Sequence, residues 1–370
     1  MKLNKGNFII SGGGTGGHIY PALSIADGLK QLHPDAKIHF VGARGRMEME
    51  KVPAHGYSIT GLWISGIQRS LTLKNLSFPF KLLASIWKAF WLIRKFRPQA
   101  VIGTGGFASG PTLYVAARLG IPTLIQEQNS YPGITNRWLA SKVDKVCVAY
   151  PGLDRWFPDE KLVFTGNPVR KDLRKELLNP DQGKASFGIN PEYPCLLVMG
   201  GSLGARAINN FLGERLDWFL ENKVQLIWQC GKFYAEASKA KLAEKHKPWI
   251  QVHPFLSDMP LAYSAADLVI SRAGACTLSE LCLAGKPAVL IPSPNVAEDH
   301  QTRNAEALAN DDAAVMVTED EIELRLMPVL RDLLNNADKR NQLSQKILTK
   351  ATPKAVDDIL DQIQNLIHAK

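Results

Sequence analysis

His18 is the residue whose type and setting most invite chemistry. It closes the stretch SGGGTGGH (11–18), behind glycines Gly12, Gly14 and Gly17 spaced as G-x-G-x-x-G. A glycine turn between strand and helix lets the backbone approach a ligand closely, and the helix N-terminus offers N–H groups and partial positive charge to an anion. An imidazole there titrates near working pH and suits general acid–base work; the alternative is a capping or hydrogen-bonding role. A second constellation lies in SRAGACTLSELCLAGKPAVLIPSP (271–294). The chain turns at Ala273–Gly274 and enters a helix with Thr277 in its first turn and Glu280 one turn on. Early N–H groups and the Thr277 hydroxyl can hold a diphosphate. A carboxylate at 280 can accept both hydrogen bonds of a ribose diol, or it is simply an acid favoured near a helix N-terminus. Downstream, Asp299, His300 and Gln301 form a polar cluster of the sort that reads sugar hydroxyls. No D-x-D occurs and His300 has no histidine or cysteine at ligand spacing, so no metal site is expected.

Two more glycine turns, GTGG (103–106) and GGS (200–202), make three in one chain, which favours phosphates over turns needed only for packing. Read alone, the first loop suggests a nicotinamide or flavin enzyme. That chemistry wants an acid at the end of the second strand to hold the adenosine ribose. Here the strand ends in VGARGRMEME (41–50), with Arg44 and Arg46 in the acid's place and Glu48 several residues too late. Arginines would suit a 2′-phosphate, so an NADP enzyme is weakened by the loop rather than removed, but His18 would crowd a pyrophosphate.

The elements that position these residues alternate. NFIIS (7–11), KIHFVG (37–42), AVIGTG (100–105), PTLIQEQ (122–128) and KVCVAY (145–150) read as buried strands, with PALSIADGLKQL (21–32) as a helix. The pattern restarts at PCLLVMGGSLGARAINNFL (194–212) and continues through QLIWQCG, IQVHPF, DLVISRAG and PAVLIPSP. Two strand–glycine turn–helix starts half a chain apart predict two Rossmann-like, doubly wound parallel-sheet α/β domains, in keeping with 370 residues. The expected division is 1–165, 166–350, and an amphipathic C-terminal helix over 351–370 that packs on a domain, with the first as one option. The opening MKLNKGN runs into an apolar stretch too short for a secretory core, no apolar run reaches membrane-spanning length, and five cysteines without a C-x-x-C pair fit a reducing cytoplasm. Lys and Arg number 44 against 35 Asp and Glu; residues 1–100 hold 14 against 4, leaving 30 against 31 for the rest. A basic first domain implies an anionic partner. LKNLSFPFKLLASIWKAFWLIRKFRP (73–98) mixes aromatic and basic residues as an anionic membrane interface would want. Much of 84–93 is expected to be buried, with interfacial contact from 75–88. No recognition helix or RNA-binding motif accompanies the charge, so nucleic acid is not expected as a partner.

The stretches GGGTGGHIYPALSIA, VIGTGGFASGP, EQNSYPGITNRWLA, FTGNPVR, GGSLGARAIN and SRAGACTLSEL resemble, in family order and across about residues 10–305, the MurG family of N-acetylglucosaminyltransferases. The resemblance implies the GT-B architecture, two Rossmann-like domains facing across a cleft. It also implies inverting transfer of N-acetylglucosamine from UDP-N-acetylglucosamine to the 4-hydroxyl of the muramoyl sugar of undecaprenyl-diphosphate-linked muramoyl-pentapeptide (lipid I), giving lipid II. The alternative is another GT-B UDP-sugar enzyme, a glycolipid synthase or UDP-sugar 2-epimerase. By the family motifs the donor would meet Ser202, Leu256, Ala275, Cys276, Thr277, Leu278, Ser279, Glu280 and Gln301 in the second domain, and Thr15, Gly16, Gly17, Asn129 and Arg170 from the first. The acceptor would meet Gly14, His18, Gly105, Gly106, Phe107 and Ser109. His18 is the first candidate for the base and Glu127 the second, with a role as loop buttress the alternative for Glu127. No cofactor is implied, and the expected location is the cytoplasmic face of the inner membrane, as a peripheral protein. Phe107 departs from the family's common Tyr, and Cys276 puts a thiol in the donor loop.

Overall fold

The chain folds into two α/β units in this computed structural model, which describes residues 6–66, 77–169, 173, 179–201 and 203–369. The first unit comprises Met1–Arg170 and Thr352–Lys370, the second Lys171–Ala351. The first is built on a wholly parallel sheet of β1 (Asn7–Gly12), β2 (Lys37–Ala43), β3 (Ser58–Leu62), β4 (Ala100–Gly105), β5 (Thr123–Glu127), β6 (Lys145–Val148) and β7 (Leu162–Phe164), in the order β3-β2-β1-β4-β5-β6-β7. Helices cover both faces, so the central strands read as continuous apolar runs. Alternation along each strand divides them between two cores. Phe8, Ile10, Phe40, Ile102 and Leu124 face one side; Ile9, Val41, Val101 and Ile125 face the other.

The second unit repeats the plan with β8 (Cys195–Met199), β9 (Gln225–Gln229), β10 (Ile250–His253), β11 (Leu268–Ser271), β12 (Ala288–Leu290) and β13 (Val315–Met316), all parallel, in the order β10-β9-β8-β11-β12-β13. In both sheets the order reverses beside the first strand, between β1 and β4 and between β8 and β11. Ligands of open α/β sheets bind outside the strands' carboxyl ends at such switch points. The turns after β1, β4 and β11, three of these four strands, lead to His18, Gly106 and Gly274.

Several expectations change in detail. β3, β7 and β13 are short edge strands that the apolar runs did not announce. The opening helix spans Gly16–Leu32, with Pro21 inside it, so His18 lies in its first turn. The first unit runs past the expected boundary at 165/166: the Thr165 and Gly166 N–H groups donate to Val148 O at 3.0 and 3.1 Å, and Asn167 Nδ2 donates to Gln128 O at 3.0 Å, tying this turn to the first sheet. The C-terminal helix, Ala355–Ala369, buries Val356, Ile359, Leu360 and Ile363 in the core that holds Ile25 and Leu29. Gly28 permits the approach, since a Cβ there would fall 2.8 Å from Val356 Cγ1.

The basic helix, Phe78–Phe96, buries Ser85, Ala89 and Ile93 and leaves Phe80, Leu83, Trp87 and Trp91 more than half exposed. The exposed stripe therefore runs past 88 and includes part of 84–93 expected inside. Ser85 and Ala89, small residues at i and i+4, lie on the inward face, where the helix packs chiefly on the helix Ser109–Arg118, and the large aromatics turn outward. Residues 73–76 lie outside the described residues. Among those described, no helix is long and apolar enough to cross a membrane.

Candidate functional site

At the first switch point, Thr15 is the N-cap of the opening helix, yet its side chain makes no capping hydrogen bond, and the first turn holds no acid. An uncapped, acid-free helix end suits an anion. Gly16 and Gly17 follow in that turn, and the backbone N–H groups of His18 and Ile19 donate to Thr15 O, both at 3.2 Å. Thr104 Oγ1 donates to His18 O at 2.8 Å, anchoring the helix start to β4. The turn after β4 is shaped to fit. A Cβ on Gly105 (φ +98°) would fall 2.8 Å from both Cε1 and Nδ1 of His18, and one on Gly106 (φ +86°) would fall 2.3 Å from Gly13 O. Neither position has room for a side chain, and both backbones favour glycine. Phe107 packs on Gly66 and is 40% exposed.

Two residues expected at the acceptor have partners within the protein. The Gly14 N–H donates to Glu48 Oε2 at 2.9 Å, while Glu48 Oε1 accepts from Ala43 N at 2.9 Å. The fully buried Glu48 thus fixes the glycine turn to the end of β2 and sets a carboxylate where a phosphate on that N–H would have to sit. Ser109 is also fully buried, and its hydroxyl donates to Ser11 O at 2.7 Å and Gly105 O at 2.8 Å, tying β1 to β4.

Glu127, the second candidate base, has the contacts of the loop buttress that was its alternative. It is buried at the end of β5 with both oxygens engaged. Oε1 accepts from Asn129 N (3.0 Å) and Asn129 Nδ2 (3.1 Å), and Oε2 from Gly133 N (3.1 Å) and Asn136 Nδ2 (2.9 Å). Four donors hold this carboxylate as the anchor of loop 129–136; a general base needs a lone pair turned toward substrate. The next residue reaches the histidine instead: His18 Nδ1 lies 3.0 Å from Gln128 Oε1.

At the second switch point the helix Ala275–Ala284 starts from Gly274, which has no side chain to cap it, and its first turn is again free of acid. Leu278 N donates to Gly274 O at 3.0 Å, so Leu278 is committed to the helix and its side chain to the core. The N–H groups of Ala275, Cys276 and Thr277 lie at the helix's positive end. Ser279 Oγ donates back to Ala275 O at 3.0 Å. Glu280 Oε2 accepts from the phenol of the fully buried Tyr263 at 3.0 Å, which orients the carboxylate expected at a ribose. Leu256 is buried beyond β10. Gln301 Oε1 accepts from Ser293 N at 2.9 Å, which turns its amide nitrogen the other way. Before it, Glu298 and Asp299 both adopt left-handed backbones (φ +56° and +51°), a costly pair that pins the entry to the helix His300–Ala309. Arg170 and Ser202 lie outside the described residues.

Sequence reasoning did not find the supporting residues Gln128, Tyr263 and Glu48 in their roles. The signal available for the first was QEQN (126–129): polar residues where a buried strand ends. Among the described residues no group of three His, Cys, Asp or Glu side chains is arranged to hold a metal.

Two family models match: glycosyltransferase family 28 N-terminal domain over residues 8–148 and glycosyltransferase family 28 C-terminal domain over 195–359. A protein of Flavobacterium psychrophilum is 50% identical over 368 residues, all of both chains, and one of Parabacteroides distasonis 51% over 369, again all of both. Each is named UDP-N-acetylglucosamine–N-acetylmuramyl-(pentapeptide) pyrophosphoryl-undecaprenol N-acetylglucosamine transferase. The crystal structure of Acinetobacter baumannii MurG is 32% identical with a TM-score of 0.79, covering 98% of this chain and 99% of that one.

Proposed function

The chain belongs to glycosyltransferase family 28, and from that premise we infer that it makes lipid II for peptidoglycan. It transfers N-acetylglucosamine from UDP-N-acetylglucosamine to the 4-hydroxyl of the muramoyl sugar of undecaprenyl-diphosphate-linked muramoyl-pentapeptide, and UDP leaves. Full-length identity of 50% to a transferase named for that reaction favours it over a glycolipid synthase or a 2-epimerase of the same fold.

The donor is α-linked and the product β-linked, so one in-line displacement with an oxocarbenium-like transition state is required. A base takes the acceptor proton as the hydroxyl attacks, and positive groups hold the departing diphosphate. In this reading His18 is the base. The N–H groups at 275–277, the Thr277 hydroxyl, Ser202 and the fixed cation of Arg170 receive the diphosphate. Glu280 holds the ribose, Leu256 lies by uracil, and Gln301 reads the sugar. Thr15, Gly16, Gly17 and Asn129 serve the donor from the first unit, and Phe107 with the turn at Gly105 and Gly106 serves the acceptor. No step calls on a cofactor. The full-length identity carries the reaction; the role given to His18 is supported by its place in the first turn of an uncapped helix at a sheet switch point.

The lipid tail of the acceptor calls for a peripheral protein at the cytoplasmic face of the inner membrane. The exposed stripe of the basic helix supports that placement: Lys81 Nζ sits 5.9 Å from the Trp63 ring centre and Arg94 5.7 Å from that of Phe90, so cations flank the aromatics.

The test is to give purified protein radiolabelled UDP-N-acetylglucosamine with either a lipid I analogue or a diacylglycerol. Label should enter only the lipid I analogue; absence of any transfer sinks the reading. His18→Ala should lower kcat by ~10²–10⁴-fold with UDP affinity nearly intact, and loss of UDP binding would demote His18 to a structural part.

A further inference from the structure

We propose that Gln128 is a positioning residue that fixes the tautomer of His18, holding the proton on Nδ1 and leaving the Nε2 lone pair for the acceptor hydroxyl. The inference rests on the reading of His18 as the base. Its geometry stands on the free protein.

The argument turns on which end of the Gln128 amide faces the ring. The side chain is buried, and its Nε2 lies 2.8 Å from Thr104 O and 3.0 Å from Gln126 O. Both are backbone carbonyls, which only accept. Turning the amide over would set Oε1 against two acceptors and leave them without its donor, so the NH2 group belongs on that side. A third contact agrees: Gln128 Nε2 also donates to Gln126 Oε1. Gln126 is fixed in turn, its own Nε2 donating to Asn167 Oδ1 at 3.0 Å and to Glu127 O at 3.2 Å, while Asn167 Nδ2 donates to Gln128 O. The chain of amides closes on itself and admits one orientation.

Oε1 is therefore what His18 Nδ1 meets at 3.0 Å, and a carbonyl oxygen can only accept. Nδ1 must carry the hydrogen. In the neutral ring Nε2 is then the acceptor, the state a general base needs. Gly105 completes the device, because any side chain there would overlap Nδ1 and Cε1 and push the ring off the amide. An amide partner differs from a carboxylate in one consequence. It directs the proton to Nδ1 without placing a negative charge beside the ring.

The experiment is nitrogen-15 NMR of the histidine side chains of the full chain, with the His18 signals assigned from their loss in His18→Gln. The wild type above the ring's titration should show protonated Nδ1 and bare Nε2; a ring protonated on Nε2 overturns the proposal with no variant needed. Gln128→Met keeps the side-chain length and removes the acceptor. It should shift the ring toward the Nε2-protonated tautomer and lower kcat by about 10–100-fold, the scale seen when a metal-bound histidine loses its orienting partner, with KM for UDP-N-acetylglucosamine changed less than about twofold. A folded Gln128→Met protein with the wild-type tautomer and rate also overturns it. Failure of the base reading looks different: His18→Gln would then keep its transfer rate while the wild-type spectrum still showed the Nδ1 proton.

Discussion

At the residue scale, the site separates residues that meet ligands from residues that hold them in place. Glu127 illustrates the second kind. Glu127→Gln puts an NH2 group against two of the four donors now bound by the carboxylate. Each buried donor left without an acceptor costs roughly 1–3 kcal/mol. The variant should melt several degrees lower, while whatever activity survives keeps the wild-type pH profile; a lost or displaced limb of that profile would restore Glu127 as a base. Cys276 is proposed to be of the first kind. Burial pushes the thiols of Cys147, Cys195 and Cys282 up to about 12, and raises that of Cys230. These four remain neutral and shielded at pH 7–8, whereas Cys276 is only partly buried, in the first turn of the helix assigned to the diphosphate. Since the thiolate is what reacts, iodoacetamide should label Cys276 first in the native protein, and saturating UDP should slow it. Peptide mapping checks both, and prior labelling of another cysteine, or indifference to UDP, would count against the donor-loop assignment. Legibility at this scale followed sequence distance. His18 announced itself because its glycines are adjacent in the chain. Gln128 and Glu48 did not, because their partners lie 110 and 34 positions away and only the fold brings them together.

At the element scale, the central strands were legible because a parallel sheet covered on both faces demands uninterrupted apolar runs. Edge strands escape that demand: β3 has only Gly61 and Leu62 buried, and β13 is Val315–Met316, half-buried. The start of the opening helix was misjudged for a related reason. Pro21 reads as a helix beginning, a favoured place for proline, but the helix begins at Gly16 and takes His18 into its first turn. The basic helix was misjudged in its facing. Its apolar content exceeds what one buried stripe can use, and composition does not say which residues turn outward. The arrangement decides this: Ser85, Ala89 and Ile93 lie inward and Trp87 and Trp91 outward. That facing carries a prediction. Replacing Trp87 and Trp91 together by Ser removes mostly exposed surface and the edge contact of Trp91 with Phe90, so the melting temperature should fall by only a few degrees and transfer to a short-chain, water-soluble acceptor analogue should be nearly unchanged. Binding to anionic vesicles, measured by sedimentation, should fall by about tenfold or more, and the wild-type binding should weaken with added salt as its Lys and Arg contacts are screened. Equal vesicle binding by the two proteins would remove this helix from the membrane.

At the scale of the whole molecule, the chain's connectivity makes the two units unequal. The second is continuous from Lys171 to Ala351, whereas the first is completed only when Thr352–Lys370 returns to it. The returning helix is part of that unit's core: Ile359 and Ile363 are fully buried, and Val356 and Leu360 lie against Gly28. Burying a side chain of this size contributes about 1.5–3 kcal/mol, so four such residues contribute roughly 6–12 kcal/mol. Domain stabilities run to about 5–15 kcal/mol in total. Deleting residues 352–370 should therefore cost the first unit its stable fold while leaving the contiguous second unit intact. Hydrogen exchange read by mass spectrometry separates the two. Protection should disappear from β1, β2 and β4 and persist in β8, β9 and β11, because the core around Leu196, Val198, Trp228 and Ile270 holds no residue of the tail. Protection kept throughout would mean the opening helix can cover its own sheet without the C-terminal helix. Loss in both units at once would mean that the second depends on the first for its fold, which its own continuous sheet and separate core give no reason to expect.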